Sequence, residues 1–235
     1  MRRLTTLEAE FYANNFRAKN GIGLDEPISA KILLRKLNIT TIYRRLSEDS
    51  YGISCKSKSG KMFMMINSNT SRGRQHFTIA HELFHLFYEE SPTPHMCNGT
   101  AVGVEKDANL FASALLMPRN GIMALISIDE VHKKRVELPT ILRLEQMFGV
   151  SRMALLLRLK DIGFLREEDI ATFSQGVKES AKAYGYDLSL YETGNEGLFI
   201  GDFGEKARTL FEQGSISEGH YNELINMISN ARGED

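Results

Sequence analysis

The sequence has only two cysteines, Cys55 and Cys97, and they do not form a CxxC spacing. Two isolated thiols suit a reducing compartment better than a disulfide framework, so we expect a cytoplasmic protein. The N-terminal segment has Thr5, Thr6 and Glu8 where a signal peptide has an apolar stretch. No run approaches the roughly 18 apolar residues of a membrane span, so we expect no membrane association.

The sequence also lacks an excess of charge of either sign. Its 29 basic and 30 acidic side chains leave a net charge of −1, so no global field favours nucleic acid, a membrane surface or an acidic substrate. Any such contact would have to be local. A chain of 235 residues can bury a proper core, and it contains no long internal repeat and no low-complexity tract.

Local signals predict helices, strands and a domain division. We predict a helix over 5–19, a short helix over 29–37, a strand over 39–43, a hairpin formed by 51–57 and 61–67, a loop over 95–103, and a helix over 104–117. Two helices joined by residues 149–151 follow, and two more lie near the C-terminus. The regions we predict are a core over 1–125, a helical region over 126–168 and a small, mostly helical region over 169–235.

Residues 77–87, FTIAHELFHLF, place two histidines and a glutamate in a segment that otherwise resembles a buried helix. At 100° per residue, with His81 at zero, His85 lies at about 40°, Thr78 at about 60° and Glu82 at about 100°. Apolar side chains fill nearly all the remaining circumference. The helix therefore has one polar wedge, and its burial requires a partner that satisfies the polar groups.

A divalent metal ion such as zinc fits this wedge. Two imidazoles one turn apart, those of His81 and His85, can bind one ion at about 2.0 Å and leave Glu82 beside it as a base. A random HExxH is expected in roughly one such sequence in a hundred. The alternative is a pair of core histidines hydrogen-bonded to backbone or carboxylate groups. Two histidines and a carboxylate would also suit manganese or iron.

A catalytic zinc site usually has a third protein ligand and an open position for water. Glu89 lies about 12 Å along the axis from the first histidine, out of reach of an ion held between the two histidines. His95 and Cys97 are candidates, although Cys97 could equally be an inert or inhibitory thiol. On the next helix, periodicity favours Glu105 over Asp107 only slightly, and either could be a solvated first-turn acid.

These segments resemble the ImmA/IrrE family of metallopeptidases, whose signature pairs an FTxAHExxH helix with an ExxANxFAxxLLMP helix. Residues 77–85 read FTIAHELFH and residues 105–118 read EKDANLFASALLMP. The resemblance extends over roughly 27–164. One departure is Phe84, where the family commonly has glycine; it should add bulk on the packed side of the helix without touching the polar wedge.

The resemblance implies an α+β fold with a zincin-like core, in which a small antiparallel sheet packs on the HExxH helix, followed by a helical, helix-turn-helix-like region. Carried onto matching positions, it implies that His81, His85 and Glu105 are zinc ligands. Glu82 would be the catalytic carboxylate, and Asn109 would orient one of the ligands.

The implied activity is hydrolysis of a peptide bond. Zinc lowers the pKa of a bound water towards about 7, and Glu82 takes its proton and passes it to the leaving amine. In zincins the substrate usually lies along an edge strand, for which residues 61–67 are the candidate, with a core hairpin strand as the alternative. The candidate stabilisers of the oxyanion are Tyr88, His95, His132 and Arg74.

Residues 144–159 have the layout of a helix-turn-helix unit. Basic side chains are too sparse there to indicate a DNA face, so we favour a packed helical hairpin; they are Arg143, Arg152, Arg158 and Lys160. The resemblance implies that the substrate is a protein regulator, such as a helix-turn-helix repressor or an antitoxin. It places the chain in a stress-response, mobile-element or toxin–antitoxin setting. The rival is a DNA-binding or partner-binding regulator with a vestigial or structural metal site, but such a site has no use for Glu82.

Overall fold

The structure is a computed structural model, and it describes residues 3–89, 95–97 and 103–229. The helices are α1 (Thr6–Lys19), α2 (Ala30–Lys36), α3 (Arg72–Tyr88), α4 (Val104–Leu116), α5 (Arg119–Met123), α6 (Ile128–Lys133), α7 (Leu138–Phe148), α8 (Arg152–Asp161), α9 (Glu167–Phe173), α10 (Val177–Ala183), α11 (Phe203–Glu212) and α12 (Glu218–Ser229). The strands are β1 (Ile39–Arg44), β2 (Gly52–Lys56), β3 (Met62–Asn67), β4 (His95–Cys97) and β5 (Phe199–Ile200). A short 3₁₀ helix spans Ser189–Tyr191. These elements confirm an α+β fold.

The N-terminal elements follow local signals in the sequence. The Thr5 side chain accepts a hydrogen bond from the backbone N–H of Glu8, and the Glu8 carboxylate accepts one from the backbone N–H of Thr5. This capping box begins α1, as predicted. Gly60 adopts a φ of 82° at the turn between β2 and β3, a conformation that glycine reaches without strain. The predicted hairpin is confirmed.

Within the described residues, the strands form one sheet in the order β4-β2-β3-β1-β5. β1 pairs with β3 in parallel, and the other neighbours pair antiparallel. The sheet is therefore mixed, whereas we predicted an antiparallel one. The parallel pair arises because the chain leaving β1 crosses to β2, on the far side of β3, before it returns through the hairpin.

Two details of the sheet differ from prediction. β3 has a neighbour on each side, so its backbone groups are already paired. Residues 61–67 are therefore not the edge strand predicted to hold a substrate, and the alternative of a core hairpin strand is right. Residues 95–97, predicted as loop, form β4 because the free edge of β2 pairs with them, which local sequence does not reveal. Residues 98–102 of that predicted loop lie outside the described residues.

The core lies between the sheet, α3, α4 and α1. Phe111 of α4 is fully buried, and its ring centroid lies 5.6 Å from that of Phe84, 5.9 Å from Phe16 and 5.3 Å from Tyr88. Burial of such a side chain contributes about 1.5–3 kcal/mol. Phe84 thus packs on the apolar side of α3, as expected for this residue in place of the family's common glycine.

α7 and α8 form a helical hairpin against the start of α3. Gly149, with a φ of 61°, ends α7, and the Ser151 side chain accepts a hydrogen bond from the Ala154 backbone N–H to begin α8. A Cβ atom on Gly73 of α3 would lie only 2.7 Å from the Ser151 backbone nitrogen. Glycine at this position therefore allows the hairpin turn to touch α3, and α8 comes to lie beside the HExxH segment.

The C-terminal residues contact the same core. β5 pairs with β1, with Ile200 opposite Thr41. The Asn195 side-chain amide donates a hydrogen bond to the Gln75 side-chain oxygen Oε1 at 2.7 Å. These contacts tie the segment after α10 to the sheet and to α3. The division into three regions stays a prediction.

Candidate metal centre

The polar wedge of α3 is buried, as the helical angles predicted. Thr78 and His81 are each 2% exposed, Glu82 is 0% exposed and His85 is 6% exposed. Four polar side chains in such a position require partners, because each unsatisfied group costs about 1–3 kcal/mol. Those partners come from α4, β2, β4 and the end of α3 itself.

The two histidines of HExxH meet a carboxylate of α4. Their Nε2 atoms lie 3.1 Å apart. Glu105 Oε2 lies 3.2 Å from His81 Nε2, and Glu105 Oε1 lies 3.6 Å from His85 Nε2. Asp107 points elsewhere, since its Oδ1 accepts a hydrogen bond from the Leu4 backbone N–H at 3.0 Å. The structure thus brings Glu105 to the histidines, and not Asp107.

The other nitrogen of each imidazole has its own partner. His81 Nδ1 lies 2.9 Å from Asn109 Oδ1, and His85 Nδ1 lies 2.6 Å from Glu89 Oε2. Oxygen acceptors at both positions favour the tautomer with its proton on Nδ1, so in the neutral imidazole the Nε2 lone pair points into the shared space. Sequence reasoning excluded Glu89 as a ligand but missed this contact, which its spacing of four residues from His85 could have indicated.

Glu82 lies beside the histidine pair on the wedge. The Ser54 hydroxyl of β2 donates a hydrogen bond to Glu82 Oε2 at 2.6 Å, whereas Oε1 has no partner among the described residues. β2 approaches α3 closely at Gly52, where a Cβ atom would lie 2.7 Å from Thr78 Cγ2 and 3.5 Å from Glu82 Oε1. Glycine therefore leaves the space in which the Glu82 carboxylate lies.

β4 adds two further donor side chains. His95 lies opposite Ser54 and Cys97 lies opposite Gly52 in the β2–β4 pair, so both occupy the face of the sheet that covers α3. His95 Nε2 lies 2.7 Å from Glu105 Oε1, and Cys97 is buried. Potential ligand atoms lie within 4.8 Å of one another in two groups that share the carboxylate; they are His81, Cys97 and Glu105, and His85, His95 and Glu105.

This donor set suits a divalent metal ion. Imidazole nitrogen, carboxylate oxygen and thiolate sulfur are the usual zinc ligands, and the acceptors behind both imidazoles provide the orientation that zinc sites require. Glu82 Oε1 is buried and has no partner among the described residues, which fits a site that a bound group would complete.

The comparison with known families agrees with this geometry. A family model described as the IrrE N-terminal-like domain, of the M78 peptidases, matches residues 34–160, which is more than half of the chain. The chain belongs to the ImmA/IrrE family of metallopeptidases. The predicted resemblance is thereby confirmed. No curated protein matches the chain significantly.

The matched segment of this ImmA/IrrE member runs from within α2 to within α8 and contains α3, β4 and α4. It therefore includes every side chain of the cluster described above. Among the described residues, no helix is both long and apolar enough to cross a membrane.

Electrostatics couple the cluster of this ImmA/IrrE member tightly. Burial disfavours protonated His81, but hydrogen bonds with Cys97 and Glu105 outweigh it and raise the pKa of His81 to about 10. Burial also opposes protonated His95, yet hydrogen bonds to Glu105 and Glu82 raise its pKa to about 9. Burial favours protonated Glu105, but the two imidazoles hold its pKa well below the usual range. A dication can supply the same positive charge, so its binding would release protons.

A cavity of about 540 Å³ opens beside the cluster, between α3, α4 and α8. Its lining combines polar side chains of the cluster with apolar side chains, namely Phe77, Leu110, Met153, Ala154 and Leu157. The lining thus includes residues of the cluster, namely His81, Cys97 and Glu105, together with residues of α8.

The four candidate oxyanion stabilisers lie in different places. His95 is part of the cluster, and Arg74 lines the cavity with its guanidinium 4.0 Å above the Tyr51 ring. The Tyr88 hydroxyl instead donates to the Tyr12 backbone carbonyl at 3.4 Å. His132 lies on α6 and does not line the cavity.

Proposed function

We propose that this ImmA/IrrE member is a zinc-dependent endopeptidase that cleaves a protein regulator. The observation that carries the proposal is the convergence of His81, His85 and Glu105 from two helices, with the Glu82 carboxylate on the same buried wedge. In the metal-bound enzyme, these three side chains would be the ligands. Bound zinc would acidify a water molecule and polarise the substrate carbonyl.

Asn109 and Glu89 would orient the ligands. Each accepts the Nδ1 proton of one imidazole and so fixes both the tautomer and the ring orientation. In other metal sites, loss of such a partner lowers metal affinity about 10- to 100-fold.

Glu82 would move the proton. The Ser54 hydroxyl fixes Oε2, so Oε1 is available to take a proton from the attacking water and deliver it to the leaving amine nitrogen. Positioned acid–base groups contribute about 10²- to 10⁴-fold in rate. A purely structural metal site would not need a buried carboxylate held in this way.

The cavity and α8 support a protein substrate over DNA. The basic side chains considered for a DNA face are all bonded within the protein: Arg143 to the Leu125 carbonyl, Arg152 to Glu145, Arg158 to Glu10 and the Met117 carbonyl, and Lys160 to Glu167. Three exposed side chains of α8 line the cavity: Met153 and Leu157 are apolar, and Asp161 at the end of the helix is acidic, which does not favour DNA. α8 is thus a suitable wall for apolar side chains of a substrate.

We further propose that the substrate is a helix-turn-helix repressor or an antitoxin, in a stress-response, mobile-element or toxin–antitoxin setting. Support comes from membership of the family and from the cavity beside the cluster. The expected reaction is a single cut in the partner protein.

The test is Glu82→Gln in the zinc-loaded protein, incubated with the product of the neighbouring gene. This variant should keep about one zinc per chain and lose cleavage at least about 100-fold, because only the base is removed. Glu179→Gln, the same change at an exposed position of α10, is the matched control and should cut normally. Cleavage by Glu82→Gln at the normal rate would show that the proposed base is wrong.

A further inference from the structure

We infer that the Cys97 thiolate is a fourth ligand of the proposed metal, so that β4 closes the site in the arrangement seen here. The inference rests on the proposed metal centre, and it adds a latent state to the proposed peptidase. Thiolate is a soft ligand that selects zinc over harder ions such as magnesium or manganese.

The β2–β4 pairing fixes the position of Cys97. Its backbone carbonyl accepts a hydrogen bond from the Tyr51 backbone N–H at 2.9 Å, and it lies opposite Gly52. Glycine leaves no side chain between the thiol and α3. The potential ligand atoms of Cys97, His81 and Glu105 lie within 4.8 Å of one another. Ligand atoms in a tetrahedral zinc site are separated by about 3.3–3.8 Å, so a small adjustment suffices.

A second feature separates Cys97 from an ordinary core thiol. Gly52, the residue opposite Cys97 on β2, lies against Glu82 of α3. Glu82 is fully buried, and its Oε1 atom has no partner among the described residues. A core position would be surrounded by apolar side chains, whereas Cys97 faces imidazole and carboxylate groups. The surroundings are therefore those of a metal ligand.

β4 also engages the proposed base. His95, two residues before Cys97 on the same strand face, has its Nδ1 atom 3.2 Å from Glu82 Oε2. Its ring stacks on His85 with centroids 3.5 Å apart. One short strand thus contacts both the base and the ligands, and Cys97 as a ligand would occupy the position that a catalytic zinc keeps open for water until β4 withdraws.

In the described sheet, three residue pairs join β4 to β2. β4 is three residues long and lies at the sheet edge, where β2 is its neighbour in the described sheet. Formation of the closed state replaces the S–H bond with a sulfur–metal bond and releases the proton to solvent. On opening, the thiolate leaves the ion and takes a proton back from solvent, with no change in oxidation state.

The test compares Cys97→Ser with Cys55→Ser in the full-length protein loaded with Co²⁺. Cys55, the other cysteine, lies on β2 on the opposite face from Ser54 and makes a matched control. Wild type and Cys55→Ser should show thiolate-to-cobalt charge-transfer absorption in the near ultraviolet, and Cys97→Ser should not. Zinc affinity should fall about tenfold or more in Cys97→Ser, as expected for the loss of a ligand.

Alkylation of the wild-type protein keeps the inference testable if the variant misfolds. Zinc should slow modification of Cys97 by iodoacetamide at least about tenfold and leave Cys55 unaffected, because a bound thiolate is a poor nucleophile. Absence of the charge-transfer band in cobalt-loaded wild type, or equal Cys97 alkylation with and without zinc, would overturn the inference. Failure of the protein to bind cobalt would also overturn the inference, and it would contradict the proposed function as well. A charge-transfer band in a protein that cuts no partner would support the ligand and count against the peptidase.

Discussion

Arg152 offers a direct test of whether α8 is a structural helix or a DNA-binding one. Its side chain is 3% exposed, and its Nε and Nη2 atoms donate to the two carboxylate oxygens of Glu145, at 2.5 and 2.8 Å. Nη1 donates to the Phe173 backbone carbonyl at 3.0 Å. Tyr191 also donates to the Glu145 carboxylate, so the pair links α7, α8, the end of α9 and the 3₁₀ helix.

Arg152→Ala would leave the Glu145 carboxylate buried, with the Tyr191 hydroxyl as its remaining donor among the contacts described above. Breaking a buried ion pair in this way costs about 3–5 kcal/mol. For a chain of this size each kcal/mol lowers the midpoint of thermal unfolding by about 2–4 °C, so the expected drop is about 6–20 °C. Replacing both partners, Arg152→Met with Glu145→Leu, should recover most of this loss, because no charge then remains buried.

The assay is thermal unfolding followed by circular dichroism, with duplex DNA binding measured on the same proteins at two salt concentrations. Lys160→Ala is the control, because Lys160 pairs with Glu167 on the surface and such pairs contribute about 0–1 kcal/mol. We expect no salt-dependent DNA binding by the wild type. The structural reasoning is refuted if Arg152→Ala keeps the wild-type unfolding midpoint and loses a measurable affinity for DNA.

Two further predictions concern the metal site. Glu105→Ala should lose zinc binding, as measured by competition with a chromophoric chelator. Asp107→Ala should keep zinc binding and lose about 1 kcal/mol of stability in urea unfolding, because the described contact of Asp107 is a hydrogen bond accepted from the Leu4 backbone. The reverse result would make Asp107 the ligand. Glu89→Gln should lower zinc affinity about 10- to 100-fold in the same competition assay, because it weakens the acceptor behind His85, and an unchanged affinity would exclude an orienting role.

The features that sequence analysis predicted correctly depend on local chemistry. The capping box at Thr5 and the glycine turn at Gly60 involve residues within a few positions of each other. The buried wedge of α3 follows from helical periodicity alone, since 100° per residue places the HExxH side chains together. The two signature helices predicted the family for the same reason, as their motifs are contiguous segments.

The choice between Glu105 and Asp107 and the presence of β4 depend on which elements come into contact in the fold. Glu105 and Asp107 are two positions apart in the first turn of α4, and periodicity could not choose between them. The packing of α4 decides it, since Glu105 lies against α3 and Asp107 against the segment before α1. The error at β4 has a similar origin, because a three-residue strand gains its hydrogen bonds from the edge of β2.

By itself, then, the sequence determined the polar wedge of α3, the family, and the residue types available for a metal site. Tertiary structure alone decided that Glu105 joins His81 and His85, that Glu89 lies behind His85, and that β4 brings His95 and Cys97 to the same cluster. The physical reason is the distance along the chain over which each interaction acts. Helical periodicity and capping act over three or four residues, whereas these contacts join segments whose relative position is set by the packing of the whole core.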